Sequence, residues 1–311
     1  MIVLRFTSGL GNQMFQYAMY RFLVQRFGRS RVKCDITWFS WNNAHQGFEL
    51  TKLFQRKDNP DFFLDRASLG QIFNCSGKVP QKGLISRIIN RTVRAVFQNY
   101  FEKRLISETG RESSGRVPHA LKEIQKLKGN EDIYITGYFL DESYYKDNLP
   151  LLRKALSFDI RSLNNKSRSL LKSLLSEDSV AIHVRRGDYL QPGYTENFIN
   201  LGMDYYKKAV EAVGQHIKDP KYYLFSDDPD FLNEAFDWLP NKIIVDWNKG
   251  AESWMDLYLM SKCRGCITAN STFSEWAGLL NERKESIIIY PREYMKDKES
   301  DIKTIPGWIR I

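Results

Sequence analysis

Five short apolar runs punctuate the second half of the chain, the last four about 20–25 residues apart, and this recurrence constrains the fold more than any other feature. Residues 179–184, 222–225, 243–245, 266–268 and 286–290 have strand length and strand composition. Stretches of helical character separate them, near 203–217, 229–235, 252–262 and 273–281. In the last stretch Phe273, Trp276, Ala277 and Leu280 recur at helical spacing. Strands alternating with helices predict a parallel sheet with helices on both faces. Ligands of such sheets bind beyond the carboxyl ends of the strands. The polar clusters of this half all follow a strand end.

The amino terminus opens in the same way. Residues 2–6 read as a strand, Gly9-Leu10-Gly11-Asn12 as a tight loop, and 14–27 as a helix burying Phe15, Ala18, Met19 and Phe22. Ile133-Tyr134-Ile135 supplies another strand, running into Gly137-Tyr138-Phe139. Between these points the pattern is weak. Residues 78–104 nevertheless carry seven Lys/Arg against Glu102 alone, interleaved with Leu84, Ile85, Ile88, Ile89, Val93 and Val96. Two readings are open there: a basic amphipathic helix in peripheral contact with a membrane, or a helix packed on its own domain. A Ser/Asn/Lys-rich run after Phe158 sets the expected division. The first domain is 1–165, Rossmann-like with a helical insertion; the second is 166–311.

A chain of 311 residues suits two such domains. Its 42% apolar and 27% charged residues belong to a globular protein rather than a disordered one. No run approaches the roughly 18 apolar residues of a membrane span, and residues 1–6 are too short for a signal-peptide core. A cytoplasmic location is expected. Cys34, Cys75, Cys263 and Cys266 are no disulfide framework. Cys263-x-x-Cys266 lacks a second ligand pair, so it reads as core flanking a turn rather than a redox or zinc site. The net charge of +9 implies an anionic partner: nucleic acid, anionic lipid and a nucleotide diphosphate all fit.

The residues that could carry chemistry sit at the strand ends. His183-Val184-Arg185-Arg186-Gly187-Asp188-Tyr189 closes the first strand of the second domain. Arginine suits diphosphate oxygens by its permanent charge and forked donors; a surface pairing of Asp188 with either arginine would use the same residues. Gly187 marks a turn made for close approach. In Asn270-Ser271-Thr272-Phe273-Ser274-Glu275, Thr272-x-x-Glu275 reads as a capping box, whose free N–H groups make an anion site. Asp256, on the preceding helix, could accept two N–H bonds from a guanine if it faces the ligand. Ser226-Asp227-Asp228 ends the next strand, and Asp228-Pro229-Asp230 has metal-binding D-x-D spacing. Asp-Pro is also an ordinary helix start, and with arginines present no metal is expected. Gly9, Gly11, Asn12 and Gln13 form a partial glycine-rich loop that lets backbone approach a ligand.

Residues 9–18 (GLGNQMFQYA), 183–189 (HVRRGDY) and 256–280, including ANSTFSEWAGLL, together resemble the α-1,2-fucosyltransferases of glycosyltransferase family 11. Gly137-Tyr138-Phe139 with Tyr144-Tyr145 resembles a further segment of that family. The resemblance spans both halves in the family's order but leaves residues 28–130 uncovered. It implies an α/β, GT-B-type fold, two Rossmann-like domains facing across a cleft. The acceptor side would be 1–165 and the GDP-fucose side 166–311.

The same resemblance implies inverting, metal-independent transfer from GDP-L-fucose, a co-substrate rather than a cofactor, onto the 2-hydroxyl of a galactose-type acceptor. That acceptor is a galactoside or a lipid-linked glycan. Arg185 or Arg186 would hold the β-phosphate, Ser271 and Thr272 would bind phosphate, and Asp256 would read the guanine. His183, Ser226, Asp227, Asn270 and Phe273 would complete the donor side, Gly9, Gly11, Asn12 and Gln13 the opposite loop. Asp188 is the candidate base. Bacterial origin is expected, at the inner face of the membrane. A fucosyltransferase of other linkage, a non-catalytic GDP-sugar binder and a basic nucleic-acid-binding protein are the rivals. The last predicts a repeated basic stripe, whereas Arg185 and Arg186 sit at a sheet edge, so no nucleic-acid partner is expected.

Overall fold

The computed structural model describes residues 1–42, 45–79, 83–108, 118–192, 196, 198–294, 296 and 305–311; the side chains of Arg94, Ala95 and Asp188 also lie outside the description. The chain divides into two compact units, Met1–Ser157 and Phe158–Ile311. The division falls eight residues before the expected one because the lead-in to the second unit packs with it. Phe158 stacks on Trp254 at 5.2 Å.

In the first unit β1 (Ile2–Arg5) leads to α1 (Leu10–Phe27), and β2 (Val32–Asp35) follows. The short helices α2 (Leu50–Phe54) and α3 (Leu69–Ser76) precede the long α4 (Leu84–Glu102). Then come β3 (Leu105–Glu108), α5 (His119–Lys126), β4 (Ile133–Gly137) and α6 (Leu149–Ala155). The four strands form a parallel sheet in the order β2-β1-β4-β3. Helix α1 starts at Leu10, so Gly11, Asn12 and Gln13 are its first turn and not a loop, which corrects the sequence reading. It also buries more than one stripe: Met14, Tyr17, Tyr20 and Leu23 join Phe15, Ala18 and Met19, whereas Phe22 stays partly exposed.

The second unit begins with α7 (Asn165–Ser176) and β5 (Ser179–Val184), then α8 (Met203–Gly214), β6 (Lys221–Ser226) and α9 (Pro229–Ala235). It continues through β7 (Lys242–Val245), α10 (Trp254–Met260), β8 (Gly265–Ile267), α11 (Thr272–Leu279), β9 (Ile287–Tyr290) and β10 (Ile309–Arg310). All strands are parallel, in the order β10-β9-β8-β5-β6-β7. On one face Val180, Ile182, Val184, Leu224, Ile267 and Ile289 pack against Tyr206, Ala209 and Val213 of α8. Each such buried aliphatic side chain contributes about 1.5–3 kcal/mol. Alternate residues point to the other face, where His183 meets Phe273 of α11. Because both faces are covered, the strands read as unbroken apolar runs. Order β8-β5-β6 sets three strand ends side by side.

Candidate active site

β5 and β6 run in register up to Val184↔Ser226, so the residues beyond each strand end meet. Arg185 Nη1 lies 3.1 Å from Asp227 Oδ2, and Arg186 Nε lies 3.2 Å from Asp228 Oδ2. The Arg186 backbone N–H donates to Asp227 Oδ1 at 2.9 Å. A Cβ on residue 187 would come to 2.9 Å from Asp227 Oδ2, so any residue larger than Gly187 here would displace the carboxylate that faces Arg185. The two adjacent guanidiniums are tolerated because a separate carboxylate from the neighbouring strand end faces each one. Arg186 also lies over the Phe231 ring, 3.6 Å from its centroid. Its terminal nitrogens make no hydrogen bond among the described residues, which leaves a two-pronged donor about a quarter exposed.

Asp227 and Asp228 are thereby accounted for as arginine partners. Asp228 additionally accepts the Phe231 N–H at 3.3 Å as the cap of α9, and Ser226 Oγ accepts the Asp228 N–H at 3.0 Å. The D-x-D spacing is thus a strand-to-helix turn with Asp230 in the first helical turn. Among the described residues no group of three His, Cys, Asp or Glu is arranged to share a metal ion. All four cysteines are free and buried, and burial pushes the Cys263 thiol up to about 12.

The end of β8 adds a second layer. His183 and Thr268 follow the paired Ile182 and Ile267 on adjacent strands. His183 Nδ1 and Thr268 Oγ1 are both buried with no hydrogen-bond partner among the described residues. Burial, and then the Arg185 charge, push the imidazole down to about 4, so it is neutral near pH 7; Asp227 opposes them. Beside it α11 begins at Thr272, with extended Ser271 in the cap position and no side-chain cap. The capping box is therefore not formed. Starting at Ser271 puts Glu275 one residue too far along, and Glu275 is instead buried, accepting from Tyr294 Oη at 3.4 Å. The first-turn N–H groups of α11 have no intrahelical partner. Asn270 is a clamp: its Nδ2 donates to the carbonyls of Ile199 (2.7 Å) and Tyr294 (2.9 Å).

Asp256 lies in the first turn of α10 and is half-buried. Asn248, just past β7, donates to its Oδ1 at 2.7 Å. Asn248 is held in turn, accepting from Ser167 Oγ and Asn164 Nδ2, both at 2.9 Å. Burial raises the Asp256 carboxyl to about 7, against the lowering effect of Asn248. Sequence reading missed Asn248 and Thr268. Their one signal was position, Asn248 three residues past the run 243–245 and Thr268 the last residue of the run 266–268.

In the first unit Gly9 caps α1, and its Cα faces the His45 ring, which a Cβ would approach to 3.3 Å. Gly11 is buried and Asn12 half-buried in the first turn. Gln13 ties loops together: its Nε2 donates to the carbonyls of Ser8 (2.9 Å) and Gly47 (2.8 Å), and its Oε1 accepts from Glu49 N (2.9 Å). Glu49, also missed, is a buried carboxyl that desolvation raises to about 7. Asp188 opens a short turn, and its side chain lies outside the described residues.

Two arginines, a buried neutral histidine and a helix start thus meet at the carboxyl edge of a parallel sheet, the edge at which α/β folds of this kind bind ligands and where a helix start favours an anion. The sequence matches Glycosyl transferase family 11 over residues 1–311, and the chain belongs to that family. It is 27% identical to the O-antigen biosynthesis glycosyltransferase WbnK of Escherichia coli, covering 98% of both chains. It is equally 27% identical to an alpha-1,2-colitosyltransferase of Escherichia coli, covering 100% of this chain and 98% of the relative. Its fold is that of the fucosyltransferase NodZ from Bradyrhizobium, with a TM-score of 0.51 over 90% of this chain and 93% of that one at 15% identity. The expected α/β, GT-B-type fold class is the one found.

Proposed function

We propose that this glycosyltransferase moves L-fucose from GDP-L-fucose to the 2-hydroxyl of a galactose-type acceptor, with inversion and without a metal. The observation that carries this reading is the Arg186 guanidinium, anchored through Nε with its terminal nitrogens free, at the strand edge of a family 11 chain. In the reaction the bond from the anomeric carbon to the β-phosphate oxygen breaks, and its electron pair stays on GDP. The acceptor oxygen forms the new bond from the opposite face and loses its proton. Negative charge grows on the diphosphate, so fixed donors aimed there stabilise the transition state more than the ground state. Arg186 supplies a fork for that charge, Arg185 a second cation, and Ser271, Thr272 and the first turn of α11 further donors.

Ionised Asp256, oriented by Asn248, accepts the two N–H groups of guanine's Watson–Crick edge, which adenine lacks. Neutral His183 and Thr268 offer partners to the rest of the nucleotide sugar. Asp188 is the base in this reading. Gly9 and its neighbours serve the acceptor, a galactoside or lipid-linked glycan met at the inner face of the cytoplasmic membrane. The relative named for colitosyl transfer favours one second reading, colitose as the sugar moved by the same site. Purified protein incubated with GDP-fucose and a panel of galactosides, with and without EDTA, should release GDP equally in both conditions. No release across the panel, or release abolished by EDTA and restored by Mn²⁺, would overturn the reading in whole or in its metal independence.

A further inference from the structure

Among the described residues, helix α4 is fastened to its unit along one side. Ser86 is buried, Asn90 exchanges hydrogen bonds with the Val79 backbone at 2.7 and 3.2 Å, and the Phe101 ring fills the space over Gly77. The opposite side carries large apolar groups into solvent: Leu84 is 74% exposed, Ile85 75%, Ile88 56% and Val96 66%. At helical spacing these four, with Ile89, share one arc. Arg87 and Arg91, both exposed, border it. Glu102 is the one acidic residue of 78–104, against seven Lys/Arg.

We infer that α4 lies flat on the surface of an anionic lipid bilayer, its aliphatic arc in the acyl boundary and its arginines among the headgroup phosphates. Scattered exposed apolar residues are ordinary, but a contiguous arc marks an interaction surface. Charge complementarity selects the occupant. A second copy would bring the same cations face to face, and nucleic acid would be met by isoleucines rather than by donors. A basic-flanked apolar arc instead matches an interfacial helix. No described helix is long and apolar enough to cross a membrane, so α4 would rest on the bilayer rather than span it. This inference does not depend on the sugar transferred.

The test is co-sedimentation of the full chain with phosphatidylcholine vesicles, with and without phosphatidylglycerol. Binding should require phosphatidylglycerol and weaken with salt. Replacing Arg87 and Arg91 together by Gln should lower the partition coefficient about 30-fold, the equivalent of about 1 kcal/mol per cation. Ile85→Glu with Ile88→Glu should abolish binding while leaving the circular dichroism spectrum and thermal midpoint unchanged, since both side chains are solvent-exposed. Equal binding to neutral and anionic vesicles, undiminished binding of folded variants, or a dimer that the isoleucine changes dissociate would each overturn the inference.

Discussion

Arg186 is attached to its surroundings weakly enough that removing it tests chemistry rather than folding. Its ion pair with Asp228 has side chains 23% and 34% exposed, and pairs of that kind are worth about 0.2–1 kcal/mol. Its position over Phe231 adds about 0.5–1 kcal/mol. Arg186→Ala should therefore cost at most about 2 kcal/mol of stability. On turnover the expectation is much larger. Losing one preorganised donor to developing charge costs about 2.7–4 kcal/mol, or about 10²–10³ in kcat. Arg186→Lys keeps the charge without the fork and should recover only part of the rate. Asp228→Asn is the control: it keeps a competent helix cap and leaves the guanidinium in place, so kcat should stay within a few-fold. The assay is GDP release at saturating GDP-fucose and lactose, with a urea midpoint measured in parallel. A folded Arg186→Ala enzyme within tenfold of the wild-type kcat would refute the placement of the diphosphate.

Asp256 must be ionised to accept guanine N–H bonds, so GDP affinity by calorimetry should rise as pH climbs through about 7. Asn248→Ala removes the bond that lowers this pKa and should move that midpoint upward. Because the folded-state pKa of Asp256 is raised, its stabilising contribution is present at low pH and lost as pH rises through about 7. Asp256→Asn should flatten that part of the urea-midpoint profile. Gly187→Ala presses on a movable carboxylate, Asp227 Oδ2; it should reduce kcat with little change in thermal midpoint. Gly137→Ala meets immovable backbone, with a Cβ 2.0 Å from the Glu108 carbonyl oxygen, and should lower the urea midpoint by the equivalent of about 1–3 kcal/mol or more.

The second unit was largely legible because its strands are covered on both faces, which turns 179–184 and 286–290 into unmistakable apolar runs. What the sequence hid there was lateral order. Nothing in the residues says that β5 and β6 are neighbours, so the partners of Arg185 and Arg186 could not be seen to be Asp227 and Asp228, 42 residues away in each case. The capping box failed through a one-residue shift of helix start, to which local patterns are blind. In the first unit β2 and β3 have four residues each, with Lys33, Asp35 and Glu108 among them, too short and too polar to stand out. Helix α1 misled for the opposite reason. Buried Gln13 and Gln16 serve loop backbones, so polarity there marks no exposed face.

The central claim is tested most directly by the linkage of the product. Nuclear magnetic resonance of the compound formed from GDP-fucose and lactose should show fucose C1 coupled through oxygen to C2 of galactose, in the α configuration. A fucose attached at another galactose carbon, or in the β configuration, would contradict the account.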